Sequence, residues 1–417
     1  MPRLYHPLYL VISLVFMVLC ACCPLDKHVL GDPQNPYPLQ SHPKVGQIVH
    51  MRTGLLVSRK DMTAVAKDAR IVYFGETHDN PASHRLELDL LTSLSEVHPQ
   101  HQALGMEMFV RSRQPVLDRW VAGKLGEKEF LKELRWFENW NADFAYYRDL
   151  LIFARDHRIP IIALNAEKDL VNAARVKPLD QLSAADQARL PELDTADPYH
   201  RAMVAGYFSD HSHGKLQPEG FLRAQTLWDE TMAESIANFL AGREGKEMNL
   251  LVIAGGNHVD FGFGIPRRAF RRLPASYITI GGQEIHISKG KESQIMNVTL
   301  PAFPMTPYDF LAYIDYEDLP KTGVRLGVMI EASPKGNGLV IKEIIRDSMA
   351  ERSGLQKEDL LLSLDGENLK DSVDLIYALK QKHPGDKIHL KVERNGITEN
   401  MEVFFPLPEE KDNPKKQ

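Results

Sequence analysis

The chain has 417 residues, of which 43% are hydrophobic and 25% are charged, and its formal net charge at pH 7 is -6. Because a single hydrophobic core rarely grows beyond about 250 to 300 residues, two folded units are predicted. The composition is that of an ordinary globular protein, and the acidic balance argues against a nucleic-acid partner, which would need a basic face.

All three cysteines lie near the N-terminus, at the end of an apolar run from Leu8 to Leu19. The rest of the chain has no thiol, which excludes disulfides, zinc–thiolate sites and a cysteine nucleophile there. The run is too short to span a bilayer comfortably and is typical of the apolar part of a signal peptide.

Residues 19–22 read Leu-Cys-Ala-Cys, which resembles the lipobox of bacterial lipoproteins. The resemblance implies a signal peptide over residues 1–22 and a lipid anchor on Cys22 that holds the protein at a membrane. Cys23 stands where an Asp would favour the inner membrane, so an outer-membrane lipoprotein facing the periplasm is expected. A plain secretory signal or a short anchor helix is the alternative.

Residues 23–45 are rich in Pro, Asp, Asn and Gln without an apolar period, which predicts a tether. Over residues 46–300, apolar runs alternate with helix-like segments, and this order predicts an α/β fold with a mostly parallel sheet and flanking helices. An Ala- and Asp-rich stretch between residues 169 and 220 predicts a helical insertion. The predicted strands of the sheet are Ile71–Phe74, Ala103–Met108, Ile161–Leu164, Leu250–Ala254 and Tyr277–Ile280.

The C-terminal part has a different pattern. Residues 301–322 are rich in Pro and Asp and are interpreted as an interdomain linker. Residues 323–406 contain four short β-like runs, at Val324–Ile330, Gly338–Ile345, Asp359–Leu364 and Lys387–Glu393. With one helix over Ser372 to Lys382, they are typical of a small, mostly β domain, and residues 407–417 form a charged tail.

Acidic and imidazole side chains lie at the ends of the predicted strands. Glu76 and His78 follow the first strand, Glu107 lies in the second, and His258 follows the strand that begins at Leu250. Because ligands of open α/β sheets bind at the carboxyl ends of the strands, these four side chains are expected to share one crevice. They suit a divalent metal such as zinc, iron or manganese, with Glu76 or Glu107 as general base in a hydrolytic site. The alternative is a hydrogen-bond network that only closes the strand ends.

Five motifs occur in order in this part of the chain: GETHDN at residues 75–80, GMEMF at 105–109, ALNAE at 163–167, QTLWDETMAESI at 225–236 and AGGNHV at 254–259. Together they resemble the ChaN-like haem-binding uptake proteins of the Tiki superfamily, over about Gly46 to Ile287. The resemblance implies that haem is a ligand.

Haem requires axial Tyr or His ligands beside a flat apolar wall. Tyr207, His211 and His213 lie together in the predicted insertion and are the haem candidates, with a solvated His-rich loop as the alternative. Trp136 and Trp140 are candidates for lining a ligand pocket, although such a pair more often packs in a core.

Residues 325–328 read Arg-Leu-Gly-Val, and this run and the stretch from Ser348 to Gly354 resemble a PDZ domain of the bacterial, HtrA-like kind. The resemblance implies that Leu326, Gly327 and Val328 form the carboxylate-binding end of a groove in which a partner's C-terminus adds a strand. A β-rich domain that only packs or dimerises is the alternative, and a homodimer stays open.

The leading hypothesis is a membrane-anchored periplasmic lipoprotein that binds haem or iron for uptake and recruits partner C-termini through its PDZ domain. The competing hypothesis is a metal-dependent hydrolase, a peptidase or esterase as in the Tiki relatives, whose PDZ domain presents substrate. A catalytically inactive adaptor is a third reading.

Overall fold

The structure is a computed structural model, and it describes residues 32–39, 41–140, 142–210, 217–287, 298–320 and 323–407. The predicted signal peptide with Cys22, and the haem candidates His211 and His213, lie outside the described residues. Among the helices in the described ranges, none is long and apolar enough to cross a membrane.

The N-terminal domain is built on a sheet of eight described strands. They are β1 (Ile48–His50), β2 (Leu55–Val57), β3 (Ile71–Glu76), β4 (Gln102–Val110), β5 (Ile161–Asn165), β6 (Asn249–Gly255), β7 (Tyr277–His286) and β8 (Phe310–Asp315). Their order in the sheet is β2-β1-β8-β7-β3-β6-β4-β5. The six strands from β8 to β5 run parallel, whereas β1 pairs antiparallel with β2 and β8. The predicted α/β fold with a mostly parallel sheet is confirmed.

Helices pack on both faces of this sheet. Along β3, Val72 and Phe74 belong to one apolar core, while Ile71 and Tyr73 belong to the core on the opposite face. This alternation is the period-2 pattern of a strand buried on both sides. The helices are α1 (Arg59–Ala66), α2 (Pro81–Val97), α3 (Gln114–Val121), α4 (Glu127–Leu134), α5 (Trp136–Asn139), α6 (Arg148–Asp156), α7 (Lys168–Val176), α8 (Ala184–Gln187), α9 (Pro198–Asp210), α10 (Pro218–Ala241), α11 (Gly256–Val259) and α12 (Ile265–Arg272).

Helix α2 begins directly after Asn80. The Asn80 side chain accepts a hydrogen bond from the Ala82 amide at 3.0 Å, and Pro81 occupies the first turn, where its missing N–H costs nothing. Leu90 and Leu94 are buried against the same core as Phe74, and each buried leucine contributes roughly 2 kcal/mol. The helix start is therefore held directly after β3.

The predicted linker over residues 301–322 is corrected by the structure. It contains β8, which lies in the sheet between β1 and β7, and the strand residues Phe310 and Ala312 are buried in the main core. The prolines and acidic residues on either side suggested a linker and obscured the short apolar run. The N-terminal domain therefore extends beyond residue 300 and ends after β8.

The C-terminal domain has its own sheet and core. Its elements are β9 (Val328–Ala332), β10 (Leu339–Ile344), α13 (Met349–Arg352), β11 (Leu360–Leu364), β12 (Glu367–Asn368), α14 (Ser372–Lys380), β13 (Lys387–Arg394) and β14 (Ile397–Phe404). The main path of the sheet runs β14-β13-β11-β10-β9, so β9 is an edge strand. The predicted helix and four predicted strands are present, and β14 was not predicted because it is mostly exposed.

The two domains contact each other through α4 and α14. Lys132 Nζ lies 2.7 Å from a carboxylate oxygen of Asp374, and Lys128 Nζ lies 2.9 Å from the same oxygen. Val373 of α14 is buried in the main core of the N-terminal domain. Helix α14 thus contributes buried side chains to the hydrophobic cores of both domains.

Candidate functional site

The ends of β3, β4 and β6 bring three predicted side chains to one edge of the sheet. Parallel pairing places Glu76 beside Gly255, and the Glu107 carboxylate accepts a hydrogen bond from the Gly255 amide at 2.8 Å. His258 follows in α11. We call this edge the rim. Glu76, Glu107 and His258 are 5%, 6% and 3% exposed, so the rim consists of buried titratable groups.

Gly255 lies close to the His78 ring, so a side chain at this position would have to displace that ring. A Cβ atom at this position would lie 2.9 Å from Nε2 of His78, closer than real Cβ atoms approach. His78 also contacts Trp140, with ring centroids 4.9 Å apart in an edge arrangement. Trp140 therefore lies at the rim, whereas Trp136 is buried in the main core.

The first half of the rim is the Glu76 cluster, which comprises Glu76, His78, His84, Glu87 and Tyr147. The Tyr147 hydroxyl donates to Glu76 Oε1 at 2.7 Å, and His78 Nδ1 lies 2.5 Å from the same oxygen. His84 Nδ1 lies 3.1 Å from Glu87 Oε2 and 3.6 Å from Glu76 Oε2. Two buried carboxyl groups therefore contact one imidazole nitrogen.

Burial dominates the acid–base properties of the Glu76 cluster. It raises the pKa of Glu76 to about 7, with a further contribution from the charge of Glu87, and it raises the pKa of Glu87 to about 7. Burial also lowers the pKa of His84. Burial opposes protonation of His78, but the hydrogen bond and charge of Glu76 raise its pKa to about 9. A carboxyl group with a pKa near neutrality can act as a general acid or base.

The second half of the rim is the His258 cluster, which comprises Glu107, His200, Gln225, Asp229 and His258. Asp229 Oδ1 lies 2.5 Å from His258 Nδ1, and Asp229 Oδ2 lies 2.8 Å from His200 Nε2. His258 Nε2 lies 3.4 Å from Glu107 Oε1. Gln225 and Asp229 are four residues apart on α10, which places both on the face toward His258.

Charge pairing dominates in the His258 cluster. Burial opposes ionisation of Glu107 and Asp229, but the charge of His258 outweighs it and lowers the pKa of each carboxyl group to about 2. Burial likewise opposes protonation of His258, but the charges of Glu107 and Asp229 raise its pKa to about 10. His258 is therefore an imidazolium between two carboxylates at neutral pH.

The four predicted metal ligands lie on one rim but in two pairs, Glu76 with His78 and Glu107 with His258. Their role as a metal or catalytic set stays a prediction. In the described part of the chain, the group whose ligand atoms all lie within 4.8 Å of one another is Glu76, His84 and Glu87.

Sequence reasoning missed His84 and Glu87, and it did not connect Gln225 or Asp229 with the rim. The available signals were the spacing of three between His84 and Glu87 on a capped helix, and the spacing of four between Gln225 and Asp229 inside the QTLWD motif.

Tyr207, the haem candidate within the described residues, lies on α9 and is 6% exposed. Its hydroxyl donates to Asp260 Oδ2, and Tyr308 donates to the other oxygen of Asp260. Burial, reinforced by the Asp260 charge, raises the Tyr207 pKa far above its usual value. In this arrangement the Tyr207 hydroxyl is protonated and engaged with a carboxylate.

An aromatic wall surrounds this tyrosine. Tyr207 packs in an apolar cluster with Met203, Phe263 and Phe303. Tyr199, two turns earlier on α9, is 43% exposed and stacks on Phe263 with ring centroids 5.2 Å apart. Of these rings, that of Tyr199 is the exposed one, since Phe263 and Phe303 are 5% and 2% exposed.

The predicted peptide groove lies beside the free edge of the C-terminal sheet. Gly327 has φ +82, and a Cβ there would lie 2.2 Å from the Ser348 Cβ, so only glycine fits this turn. The Leu326 carbonyl accepts from the Ala350 amide at 2.8 Å, which fixes the loop before β9. Strand β9, from Val328, pairs only with β10 among the described strands, which leaves its other edge available for an added strand.

Comparisons with known proteins agree with this architecture. Residues 62–269 match the family described as haem-binding uptake, Tiki superfamily, ChaN, and residues 324–404 match the PDZ domain. The serine protease Do-like HtrB of Bacillus subtilis is 29% identical over 96 residues, which are 23% of this chain and 21% of that protein. The chain thus spans about a fifth of the length of this curated relative.

Solved structures that the chain matches include one titled as cofacial haem binding to ChaN of Campylobacter jejuni, at 16% identity and a TM-score of 0.49, covering 67% of this chain and 100% of that chain. The HtrA-type protease AlgW with a decapeptide matches at 27% identity and a TM-score of 0.19, covering 20% of this chain and 29% of that chain. By its family matches, the chain belongs to the ChaN-like haem-binding uptake family of the Tiki superfamily and carries a C-terminal PDZ domain.

Proposed function

We propose that this protein binds haem for haem or iron uptake, and that its PDZ domain recruits the C-terminus of a partner protein. The observation that carries the first part is the match of residues 62–269 to a haem-binding uptake family. The aromatic wall around Tyr207 supports it, because the exposed Tyr199 ring, stacked on Phe263, offers an apolar surface to a flat porphyrin.

The haem site would use α9 and the segment that follows it. Haem, when bound, would supply an iron atom that accepts oxygen or nitrogen ligands from the protein. Tyr207 can ligate iron only after its hydroxyl loses a proton, and Asp260 already accepts a hydrogen bond from that hydroxyl. Burial raises the pKa of Asp260 to about 6, so this carboxyl group can hold the proton near neutral pH. His211 and His213 follow α9 in the sequence and are the other ligand candidates.

Haemin titration of the full-length protein tests the haem site. A Soret band that shifts and saturates with haemin is expected, and Tyr207→Phe should weaken haemin binding at least tenfold. Tyr308→Phe is the matched control, because it also removes a hydroxyl that donates to Asp260 and should leave haemin binding unchanged. A His211→Ala and His213→Ala double variant measures the contribution of the histidines. Absence of a saturable Soret shift in the unaltered protein would disprove haem binding.

The PDZ groove is tested with fluorescent peptides. Peptides that end in a free carboxylate and an apolar residue should bind, whereas the same peptides with an amidated C-terminus should not, because the loop at Leu326, Gly327 and Val328 is proposed to bind the carboxylate. Equal binding of both peptide forms would leave the domain without the proposed recognition.

Membrane anchoring through Cys22 belongs to the same proposal. Cys22→Ser should abolish incorporation of labelled fatty acid in a bacterial host, and the unaltered protein should fractionate with outer membranes. Retained labelling after Cys22→Ser would show that lipid attaches elsewhere.

A second candidate function is metal-dependent hydrolysis, and the buried rim favours it. Glu76 has a pKa of about 7, which suits a general base, and the predicted ligands Glu76, His78, Glu107 and His258 lie along one edge. The PDZ domain would then present peptide substrate to this edge. Hydrolysis of ester or peptide substrates that is lost on chelation, and lost in His78→Ala, would support this function; activity that survives chelation would contradict it.

A further inference from the structure

The Glu76 cluster has the features of a metal site that differs from the predicted one. We propose that His84 Nδ1, together with one carboxylate oxygen each from Glu76 and Glu87, binds a divalent transition-metal ion. This site goes beyond haem binding, and it shares only Glu76 with the set that sequence reasoning assembled. The three side chains are 5%, 5% and 0% exposed, and their ligand atoms lie within 4.8 Å of one another.

The hydrogen bonding of His84 determines which ring nitrogen can bind metal. His84 Nε2 lies 3.0 Å from the backbone carbonyl oxygen of His78. Since a carbonyl oxygen only accepts, Nε2 carries the hydrogen, and in the neutral ring Nδ1 has a lone pair. A histidine that donates one N–H to a backbone carbonyl and directs its other nitrogen at a cation is the usual arrangement of a metal ligand.

The lone pair of His84 Nδ1 points at two acceptor atoms. The nearest are Glu87 Oε2 at 3.1 Å and Glu76 Oε2 at 3.6 Å. When both carboxyl groups are ionised, neither they nor the neutral imidazole nitrogen can donate, so three acceptors meet without a donor between them unless one carboxyl group takes up a proton. A cation at this position removes the conflict.

The lack of a hydrogen-bond partner for Glu76 Oε2 is a second and independent observation that supports a metal ion here. This buried oxygen has no hydrogen-bond partner among the described residues, although its companion Oε1 accepts from Tyr147 and contacts His78. Buried polar atoms are nearly always paired, so an unpaired carboxylate oxygen in a cluster of ligand types indicates an absent partner. The atom lies on the His84 side of the carboxylate, where the ion would bind.

The distances and atom types fit one class of ion. Atoms that ligate one transition-metal ion lie about 2 Å from it and hence roughly 3 to 4 Å from each other, which agrees with the 3.1 and 3.6 Å separations. One imidazole and two carboxylates suit zinc, manganese or iron(II). Tyr147, which donates to Glu76 Oε1, would orient the carboxylate from outside the ligand set.

Equilibrium dialysis of chelator-treated full-length protein tests this site. Mn²⁺ and Zn²⁺ are added separately, without haem, and bound metal is counted by mass spectrometry. One ion per chain is expected. Mutation of residues that only hydrogen-bond to metal ligands weakens metal binding by about 10- to 100-fold. Loss of a ligand itself in Glu87→Gln should therefore weaken binding at least about 100-fold. Asp89→Asn is the matched control, because Asp89 lies on the same helix, is solvent-exposed and pairs with Arg59.

A second ligand variant and a spectroscopic measurement keep the proposal falsifiable. His84→Gln should lose the ion, whereas Glu107→Gln, which alters the other half of the rim, should retain it. Co²⁺ bound to the unaltered protein should give visible absorption bands that Glu87→Gln abolishes. Absence of stoichiometric binding, or an ion retained by a folded Glu87→Gln protein and lost in Glu107→Gln, overturns the proposal. Because the count is made without haem, the result is independent of haemin titration.

Discussion

The two halves of the rim have similar side chains and opposite electrostatics. Both combine buried carboxyl groups with histidines at the ends of parallel strands. In the His258 cluster, the imidazolium of His258 lowers the pKa of Glu107 and Asp229 to about 2. In the Glu76 cluster, burial and mutual repulsion raise the pKa of Glu76 to about 7, and burial raises that of Glu87 to about 7. In the Glu76 cluster the charge of His78, whose pKa is raised to about 9, does not offset the burial of two carboxyl groups.

This difference shows that composition alone does not set the chemistry of a buried cluster. His258 uses Nδ1 for Asp229 and Nε2 for Glu107, so a carboxylate partners each of its ring nitrogens. His84 uses Nε2 for a backbone carbonyl and has only Nδ1 left for two carboxyl groups. The backbone contact of His84 therefore distinguishes the His258 ion-pair network from the cluster at which we propose a metal ion.

The largest expected effect is in the His258 cluster. Asp229→Asn leaves the His258 imidazolium short of one partner, and breaking a buried ion pair should lower the free energy of unfolding by about 3 kcal/mol at pH 7. Chemical denaturation measures this loss. Glu219→Gln on the same helix, which breaks the exposed pair with Arg201, is the control and should change stability by less than about 0.5 kcal/mol. A loss below about 1 kcal/mol for Asp229→Asn would contradict the ion-pair description.

The pH dependence of this loss has a defined sign. The pKa of Asp229 is lowered from 3.8 to about 2, so its stabilising contribution is lost as pH falls from about 4 to 2. The pKa of His258 is raised from 6.5 to about 10, so its contribution is complete below 6.5 and is lost as pH rises toward 10. The difference between the unaltered protein and Asp229→Asn should therefore be greatest between about pH 4 and 6.5.

The second largest expected effect is a gain in the free energy of unfolding, not a loss. Glu87→Gln should stabilise the metal-free protein by about 2 kcal/mol above pH 7, because it removes one of two like charges that burial disfavours. The pKa of Glu87 is raised from 4.5 to about 7, so its unfavourable effect develops as pH rises from 4.5 to 7 and is absent below 4.5. Denaturation midpoints at pH 4.5 and 8 measure it. Equal destabilisation at both pH values would show that Glu87 is an ordinary packed side chain.

Tyr147→Phe should have a smaller effect. It removes a hydroxyl that donates to Glu76 Oε1 while keeping the ring that packs against His84, and one hydrogen bond to a buried acceptor is worth about 1 kcal/mol. The loss should be larger at pH 8 than at pH 4.5, since the donor stabilises the ionised carboxylate. Tyr146 is the half-buried neighbour of Tyr147, and Tyr146→Phe is the control for removal of a hydroxyl near His84. A loss that does not vary with pH would contradict the contact with Glu76.

The smallest effect is expected at Ser83. Its hydroxyl lies 3.5 Å from Glu87 Oε1, at the long limit of a hydrogen bond, so Ser83→Ala should change stability by less than about 0.5 kcal/mol and leave metal binding within about threefold. A loss above about 1 kcal/mol would mean that Ser83 is a principal hydrogen-bond partner of Glu87. The buried carboxyl groups would then be better hydrogen-bonded than their distances indicate. Thermal unfolding and equilibrium dialysis check both values.

The sheet and the rim were predictable because they depend on local signals. Apolar runs that end in Gly-Glu-Thr-His and Gly-Gly-Asn-His identify parallel strands with polar ends, and a parallel sheet places such ends on one edge. This is why Glu76 and His258 were expected together, and their strands do lie side by side. Strand β8 was hidden by the prolines around it, and its place between β1 and β7 depends on long-range pairing that no local pattern records.

The partners within the rim could not be predicted in the same way. His84 and Glu87 occupy the buried side of an amphipathic helix, where a polar residue in the sequence looks like a surface position. Asp229 lies among the apolar residues of α10, and only the docking of that helix against the end of β6 brings it to His258. Which nitrogen of His84 faces the carboxyl groups depends on the path of the backbone at His78, which the sequence does not specify.

The contact between α4 and α14 has a practical consequence for dissecting this protein. Val373 belongs to the N-terminal core, whereas Leu375 and Leu379 of the same helix belong to the C-terminal core. Cutting the chain between the domains would therefore expose the apolar surface that Val373 covers on the first domain. It would also remove Asp374, the carboxylate partner of Lys128 and Lys132. Poor solubility of a protein that lacks the C-terminal domain would then result from this exposed surface. It would not test whether peptide binding by the PDZ domain affects the rim.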